Sequence, residues 1–532
     1  MRILIAVRPV LVAICLSLFM SSHASPAPIQ LIPQPKEMTD HGTRIHMGNK
    51  LNVYVAPGSG LGKHYIEQLL QQNGFVVRFT KLKQACVRFL IDSSTITQVH
   101  GYRLTVKPNG ANALIQITGN SRKGLIHGLT TFSQLVTYAD GRIVVPGCEI
   151  ADYPGFQWRS FMLDEARHFQ GKEVVMKLLD EMAMLKMNIF HWHLVDDQGW
   201  RIQIDKYPRL TQIGSRSNFS QIASKVTPLD SAKVSKLPRW YYTKSEIREI
   251  IRYATERGID IVPEIEVPGH VSASLYAYPW LGTSSRTEKG TVYGDLYNVA
   301  DPAVMQFITD VLDEVLDLFP FKLIHIGGDE ADHSHWAKDS NVNKYMRENG
   351  LQTYMDLQLS AINKISRHIA ARGGRMIGWN EITGENIRNE AHVTRSASEK
   401  LAAGTIVQFW DGEVSLVNKA LAGGYEVVNS SRFHTYLDYN YESTPLEKTY
   451  LFDPVPEGVP EIDRSRVIGL GAQMWGEFTP TTERLYYQIF PRLAALAERG
   501  WVGSPVKPDF EGFKARMSAI NHRWIREGFV IP

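Results

Sequence analysis

Residues 321–330 read FKLIHIGGDE. An apolar run stops at Gly327-Gly328, and Asp329 and Glu330 follow side by side. The pattern is a buried strand with a charged end. Seven more strand candidates accompany it, all but YEVVNSS with a charged or histidine-bearing end: FMLDEARHF (161–169), MNIFHWHLVDD (187–197), IDIVPEIEVPGH (259–270), RMIGWNE (375–381), TIVQFWDG (405–412), YEVVNSS (425–431) and VIGLGAQMWGE (467–477). Helical spacing fills most of the gaps. Val174, Leu178, Met182 and Leu185 share one helix face. Thr243 and Glu246 have capping-box spacing ahead of Ile247, Ile250, Ile251 and Ala254. Asp301-Pro302 can open a helix carrying Val304, Ile308, Val311 and Val315. Residues 354–372 and 481–498 read as two further helices, and the segment after the seventh strand is the least regular. Eight β/α units over roughly 350 residues predict an α/β fold, a (β/α)8 TIM barrel. A doubly wound open sheet is the alternative. The barrel is favoured because Arg, Asp, His, Glu and Trp gather at strand C-terminal ends, where barrels keep their active sites.

Upstream the rhythm differs. LNVYVAP, GFVVRFT and VRFLID are short strand-like runs, and GYRLTVKPNGANALIQITG reads as a hairpin around Pro108-Asn109-Gly110. SRKGLIHGLTTFSQLVTYA has helical spacing. Residues 25–151 therefore predict a small α+β domain, and the turn-rich ADYPGF (151–156) marks its end. Residues 152–532 hold the barrel and a C-terminal helix.

Arg2 and Arg8 precede the apolar run Val10–Met20, and small residues stand at Ser22 and Ala24. This is the pattern of a secretory signal cleaved near Ala24, so residues 1–24 are expected to leave an exported, periplasmic or secreted protein. The apolar run is too short for a spanning helix of ~20 residues, and no later segment is long and apolar enough. Cys86 and Cys148 then remain, too few for a disulfide scaffold or a cysteine zinc site. With 58 basic and 55 acidic residues, a net charge of +3 argues against a nucleic-acid partner. Hydrophobic residues make up 44% and charged residues 21%, an ordinary globular composition.

Adjacent strand residues normally point to opposite faces. Asp329 and Glu330 share one bowl only if the backbone leaves the strand there, as Gly327 and Gly328 permit. Two close carboxylates resist ionising together, so one is expected to hold its proton more tightly. A retained proton suits a general acid and an ionised partner suits charge stabilisation, a pairing fit for breaking a glycosidic bond. The rival role for Asp329 is an N-cap on the next helix. Trp379, Trp410 and Trp475 fall near strand ends, interleaved with Asp411, Asp438 and Glu477. Singly, each tryptophan reads as core; together they favour a carbohydrate pocket. His191-Trp192-His193, with His270 and His325, raises a zinc site. Strand histidines are more often hydrogen-bonded, and no metal or cofactor is expected.

LDEARHF, HWHLVDDQGWR, PEIEVPGH, HIGGDEAD, GWNE, QFWDG, YLD and QMWGE resemble, in order, the motifs of family 20 glycoside hydrolases, the β-N-acetylhexosaminidases. The resemblance runs from about Ile32 to Trp501 and takes in both domains. It implies a retaining, substrate-assisted mechanism in which the sugar's own acetamido carbonyl attacks C1, an exception to the two-carboxylate scheme. On that resemblance Glu330 is acid and then base, Asp329 holds the acetamido N–H, and Tyr436 donates to the acetamido oxygen. Arg167 is matched to O3 and O4, and Asp438 and Glu477 to O4 and O6. Trp379, Trp410 and Trp475 wall the pocket, with Asp196 and His270 supporting Glu330. Glu266 stands where the family often has Asp; its extra methylene bears on a hydrogen bond to His270.

The implied activity is exo-removal of terminal non-reducing N-acetylglucosamine, with N-acetylgalactosamine as the alternative sugar, from an oligosaccharide or glycoconjugate such as a chitin fragment. The rivals are a metal-dependent barrel hydrolase, a sugar-binding protein that keeps the barrel, and a glycosidase with an enzyme nucleophile.

Overall fold

Alternation of buried and exposed residues builds the first layer of the molecule. The computed structural model describes residues 28–110, 112–216, 237–287, 290–384, 400–504 and 506–532; the signal pattern of residues 1–24 lies outside them. The N-terminal sheet contains β1 (Glu37–Met47), β2 (Lys50–Val55), β3 (Val76–Phe79), β4 (Val87–Ile91), β5 (Tyr102–Asn109), β6 (Asn112–Gly119) and β7 (Arg142–Asp152). Their order across the sheet is β1-β7-β5-β6-β4-β2-β3, and Thr137–Ala139 adds a short strand beside β7. Helices Lys63–Gln72 and Arg122–Leu135 cover one face, burying Leu69, Leu125 and Phe132 against Val53, Phe89 and Ile115. The expected hairpin forms from β5 and β6. The first helix, β1 and β7 were not read from the sequence. β1 is almost wholly exposed and polar, so no apolar alternation marks it.

Eight parallel strands then close a barrel: β8 (Trp158–Asp164), β9 (Ile189–His193), β10 (Asp260–Glu264), β11 (Leu323–His325), β12 (Arg375–Trp379), β13 (Ile406–Phe409), β14 (Glu426–Asn429) and β15 (Val467–Met474). β15 pairs back onto β8, so the open-sheet alternative falls. The barrel interior changes character along its axis. Its lower layers are apolar, with Trp158, Ile189, Val262, Leu323, Ile377, Ile406 and Val428 in one cluster. At the C-terminal end the register brings Asp164, His193, Glu264 and His325 level on adjacent strands. That polar layer is the floor on which the strand-end residues stand.

The outer helices follow their sequence signals. Lys172–Met184 buries Leu178 and Met182. Thr243 and Glu246 form the expected capping box on Lys244–Glu256, and Asp301 caps Pro302–Leu318. Tyr354–Ala371 is capped in the same way by Thr353 and Asp356. The single helix expected over 481–498 is two, Thr482–Ile489 and Arg492–Val502. Pro491 separates them, because its ring nitrogen has no hydrogen to continue the ladder. Cys86 and Cys148 are both free. Among the described residues no helix is long and apolar enough to cross a membrane.

A buried ion pair ties the domains together. Lys186 Nζ lies 3.0 Å from Asp152 Oδ2, and both side chains are almost fully enclosed. Tyr102 Oη and Trp501 Nε1 donate to the same carboxylate, and Lys186 stacks 4.4 Å from the Trp501 ring centroid. Removing one partner of such a pair strands the other charge. Lys186→Met is therefore expected to cost about 3 kcal/mol, seen as a fall of several degrees in apparent melting temperature. An unchanged melting temperature would show that the pair does not fasten the domains.

Candidate active site

The strand that opens the sequence argument ends early. β11 stops at His325, and the chain then takes Gly327 (φ 65°), Gly328 (φ 100°) and Glu330 (φ 46°) through the left-handed region. The two glycines are sterically required. A Cβ on Gly327 would lie 1.7 Å from Glu266 Oε2, and one on Gly328 2.6 Å from Ile382 Cγ2. Glu330 has no such freedom, and its left-handed backbone costs about 1–2 kcal/mol. That strain turns both acids into one cavity. Asp329 is not a helix cap: the next helix starts at Ser334, after His333.

The cavity, of about 270 Å³, is lined by Arg167, Asp196, His270, Asp329, Glu330, Trp379, Trp410, Tyr436, Asp438, Trp475 and Glu477, the whole set chosen from the sequence. Tyr439 and Phe478 complete the lining. They follow directly on Asp438 and Glu477, and that adjacency was their only sequence signal. Asp411 does not line it; its Oδ2 pairs with Arg432 Nε at 2.7 Å.

Aromatic rings make the inner wall. Tyr436 stacks on Trp410 with centroids 6.3 Å apart and planes 15° apart, and Trp475 lies 6.1 Å from Tyr436 and 5.9 Å from Trp379. Two of the indoles are fixed from behind. Trp379 Nε1 donates to Glu264 Oε1 at 3.0 Å, and Trp410 Nε1 donates to Glu381. Glu264 and Glu381, missed as site residues, set the angle of the wall.

Opposite charges are arranged at its rim. Arg167 Nη2 is 2.9 Å from Asp196 Oδ2, Nη1 is 3.0 Å from Asp164 Oδ2, and Nη2 is 3.9 Å from Glu477. His270 bridges the acids: Nδ1 lies 3.4 Å from Asp196 Oδ1, and Nε2 lies 3.6 Å from Asp329 Oδ2 and 3.7 Å from Glu330 Oε2. Burial opposes an imidazolium at His270, but Asp196 outweighs it and holds the ring protonated well above its usual range. Arg167 and His270 in turn overcome burial at Asp196 and keep it ionised. Glu266 makes no hydrogen bond to His270. Both its carboxyl oxygens are buried without a described hydrogen-bond partner, and burial and Asp329 hold it well toward the protonated form.

Asp329 holds its proton more tightly than an ordinary aspartate. Burial pushes it up to about 7, with His270 opposing and Glu330 adding. The Asp329 side chain is 10% accessible and that of Glu330 33%. Asp438 is pushed up to about 8 by burial and then Glu477, and its Oδ1 is buried without a described hydrogen-bond partner, as is Asp329 Oδ1. Both residues line the cavity.

Three of the four histidines raised as zinc ligands converge on Glu264 instead. His191 Nε2, His325 Nδ1 and His193 Nδ1 lie 2.8, 2.8 and 2.6 Å from its oxygens. Ligands around one tetrahedral zinc stand ~3.3 Å apart. Here the atoms stand closer than that: His193 Nδ1 is hydrogen-bonded to Glu264 Oε2, and His325 Nδ1 accepts from the Gly327 N–H at 3.0 Å. Burial opposes the charged form of His193, yet Glu264 and Asp196 raise it to about 10.

Comparison with known proteins accords with this fold. Residues 156–504 match the family described as glycosyl hydrolase family 20, catalytic domain, and residues 28–153 match its domain 2. A β-hexosaminidase of Porphyromonas gingivalis is 33% identical over 517 residues, covering 92% of this chain; the chain spans only 62% of that relative's length. The crystal structure of a β-N-acetylhexosaminidase from Bacteroides fragilis superposes with a TM-score of 0.78 at 27% identity, covering 94% of this chain and 96% of its own. The exo β-N-acetylglucosaminidase of Vibrio harveyi, solved with N-acetylglucosamine, gives 0.79 at 27% identity, covering 95% of this chain and 79% of its own. Matched over both domains, with a closed barrel whose strand ends carry paired acids and an aromatic wall, the chain belongs to glycosyl hydrolase family 20.

Proposed function

We propose that the protein is an exo-acting β-N-acetylhexosaminidase that removes terminal N-acetylglucosamine, with N-acetylgalactosamine as the alternative, by a retaining substrate-assisted route. The observation that carries this reading is the pairing of Asp329 and Glu330 in one small, aromatic-walled cavity. Glu330, the more accessible acid, protonates the leaving glycosidic oxygen. The acetamido carbonyl attacks C1 as that bond breaks, giving an oxazolinium ion. Asp329 accepts the acetamido N–H and offsets the positive charge, and Tyr436 donates to the acetamido oxygen. Glu330 then takes a proton from water as the water opens the ring. Arg167, Asp438 and Glu477 hold O3, O4 and O6, and Trp475 lies under the sugar. A cavity of this size takes one ring, which favours exo-action. Trimming of a chito-oligosaccharide should release single N-acetylglucosamine units from the non-reducing end; release of internal fragments would contradict it.

The pH dependence follows from Asp329. Its carboxyl sits near 7 in the free protein and must be ionised to accept the N–H. As pH falls through about 7 the group protonates, so kcat/KM should drop on that acid side. Bound substrate donates to the carboxylate and lowers its proton affinity, so the corresponding limb in kcat should lie at lower pH. Coincident limbs, or a kcat/KM flat through neutrality, would contradict the role. Export is part of the proposal and rests on the pattern of residues 2–24; a mature chain that starts near Ser25 would support it, and one that keeps Met1 would refute it.

A further inference from the structure

Strand register sorts the N-terminal sheet into two unlike faces. Val53, Val87, Phe89, Leu104, Ile115 and Ile117 point to the helices and are buried. The residues between them point the other way and are half-buried or exposed. On that open face three arginines fall on one line. Arg78 of β3 stands opposite Asn52 of β2, and Tyr54, two residues further along β2, stands opposite Arg88 of β4. Arg88 in turn faces Gln116 of β6, and Thr118, two residues further along β6, faces Arg103 of β5. β2, β3, β4 and β6 run parallel, so both steps advance in the same direction. Each step crosses two strand spacings and two residues, about 12 Å, and the line is ~23 Å long.

No carboxylate interrupts it. Lys107 beside the line is paired with Glu149 at 2.8 Å, whereas no described acid pairs with Arg78, Arg88 or Arg103. A solvated face normally mixes its signs, and the whole chain is nearly balanced at 58 basic and 55 acidic residues. Equal steps of positive charge fit a linear polymer whose negative charges recur. Guanidinium groups suit carboxylate or sulfate, and the amide and hydroxyl groups of Asn52, Tyr54, Gln116 and Thr118 between them suit sugar hydroxyls. We propose that Arg78, Arg88 and Arg103 form a docking track for a linear acidic polysaccharide. The choice of a glycan rests on the barrel's reading as an amino-sugar hydrolase: a docked chain raises the local concentration of its ends.

The test uses the whole protein and hyaluronan as the probe. Electrophoresis through native gels containing hyaluronan should retard the protein at low salt, and raised salt should abolish the effect. Gels containing neutral hydroxyethyl cellulose should not retard it. The triple variant R78S/R88S/R103S should bind hyaluronan about tenfold more weakly or worse, with an unchanged rate on a small aryl β-N-acetylglucosaminide. That rate also confirms that the variant folds. An unretarded wild type, or equal retardation of the triple variant, would overturn the proposal. So would binding to phosphatidylserine vesicles without binding to hyaluronan, which would make the face a membrane contact. Retardation needs no turnover, so failure of the hydrolase reading would show in the aryl rate alone.

Discussion

Glu330→Gln is expected to lower kcat by about 10³-fold on a substrate with a poor leaving group, such as chitobiose. Glutamine keeps the shape of the side chain and cannot give a proton to the departing oxygen. The loss should shrink sharply on a dinitrophenyl glycoside, whose leaving group departs without protonation. Glu330 has the left-handed φ of 46° and the more accessible carboxyl of the pair, as a group that meets the leaving oxygen at the cavity mouth requires. KM should stay within a few-fold, because the sugar contacts proposed for Arg167, Asp438 and Glu477 are left intact. An equal loss on both substrates would assign Glu330 some task other than acid catalysis.

Asp329→Asn should cost about 10²–10³-fold in kcat on every leaving group, activated ones included. In the proposed mechanism the carboxylate works on the acetamido group, and its negative charge is needed whatever departs from C1. Asparagine fills the same space, so binding should survive. The fall in kcat/KM near pH 7 should vanish with the titrating group. The folded protein should be no less stable. Asp329 is buried beside Glu266, Glu330 and Glu381, and removing one ionisable carboxyl relieves that crowding. A variant that unfolded instead would mean that Asp329 holds the barrel end together rather than the substrate.

The barrel was legible because most of its strands are short apolar runs with charged ends, a pattern a helix or an exposed strand does not produce. β11 shows how little is needed: three residues form the strand, and the sequence still marks it through the two glycines and two acids beyond. The eleven cavity-lining residues were readable as candidates because each stands at or just beyond a strand end or belongs to a family motif. What escaped notice acts at one remove. Glu264 and Glu381 touch the indoles rather than the cavity, and the sequence does not show which carboxyl lies behind which ring. The raised proton affinity at Asp329 depends on its burial, a consequence of backbone turns at residues 327–330. The docking line in the N-terminal sheet exists only through register, since Arg78, Arg88 and Arg103 have no common spacing along the chain.

The central claim is that the substrate's acetamido group performs the displacement while Asp329 and Glu330 assist. Initial rates on an aryl β-N-acetylglucosaminide and on the matching aryl β-glucoside, both with EDTA present, test it most directly. Rapid cleavage of the first and none of the second is the predicted result. Equal cleavage of both would contradict the account and require a nucleophile from the protein.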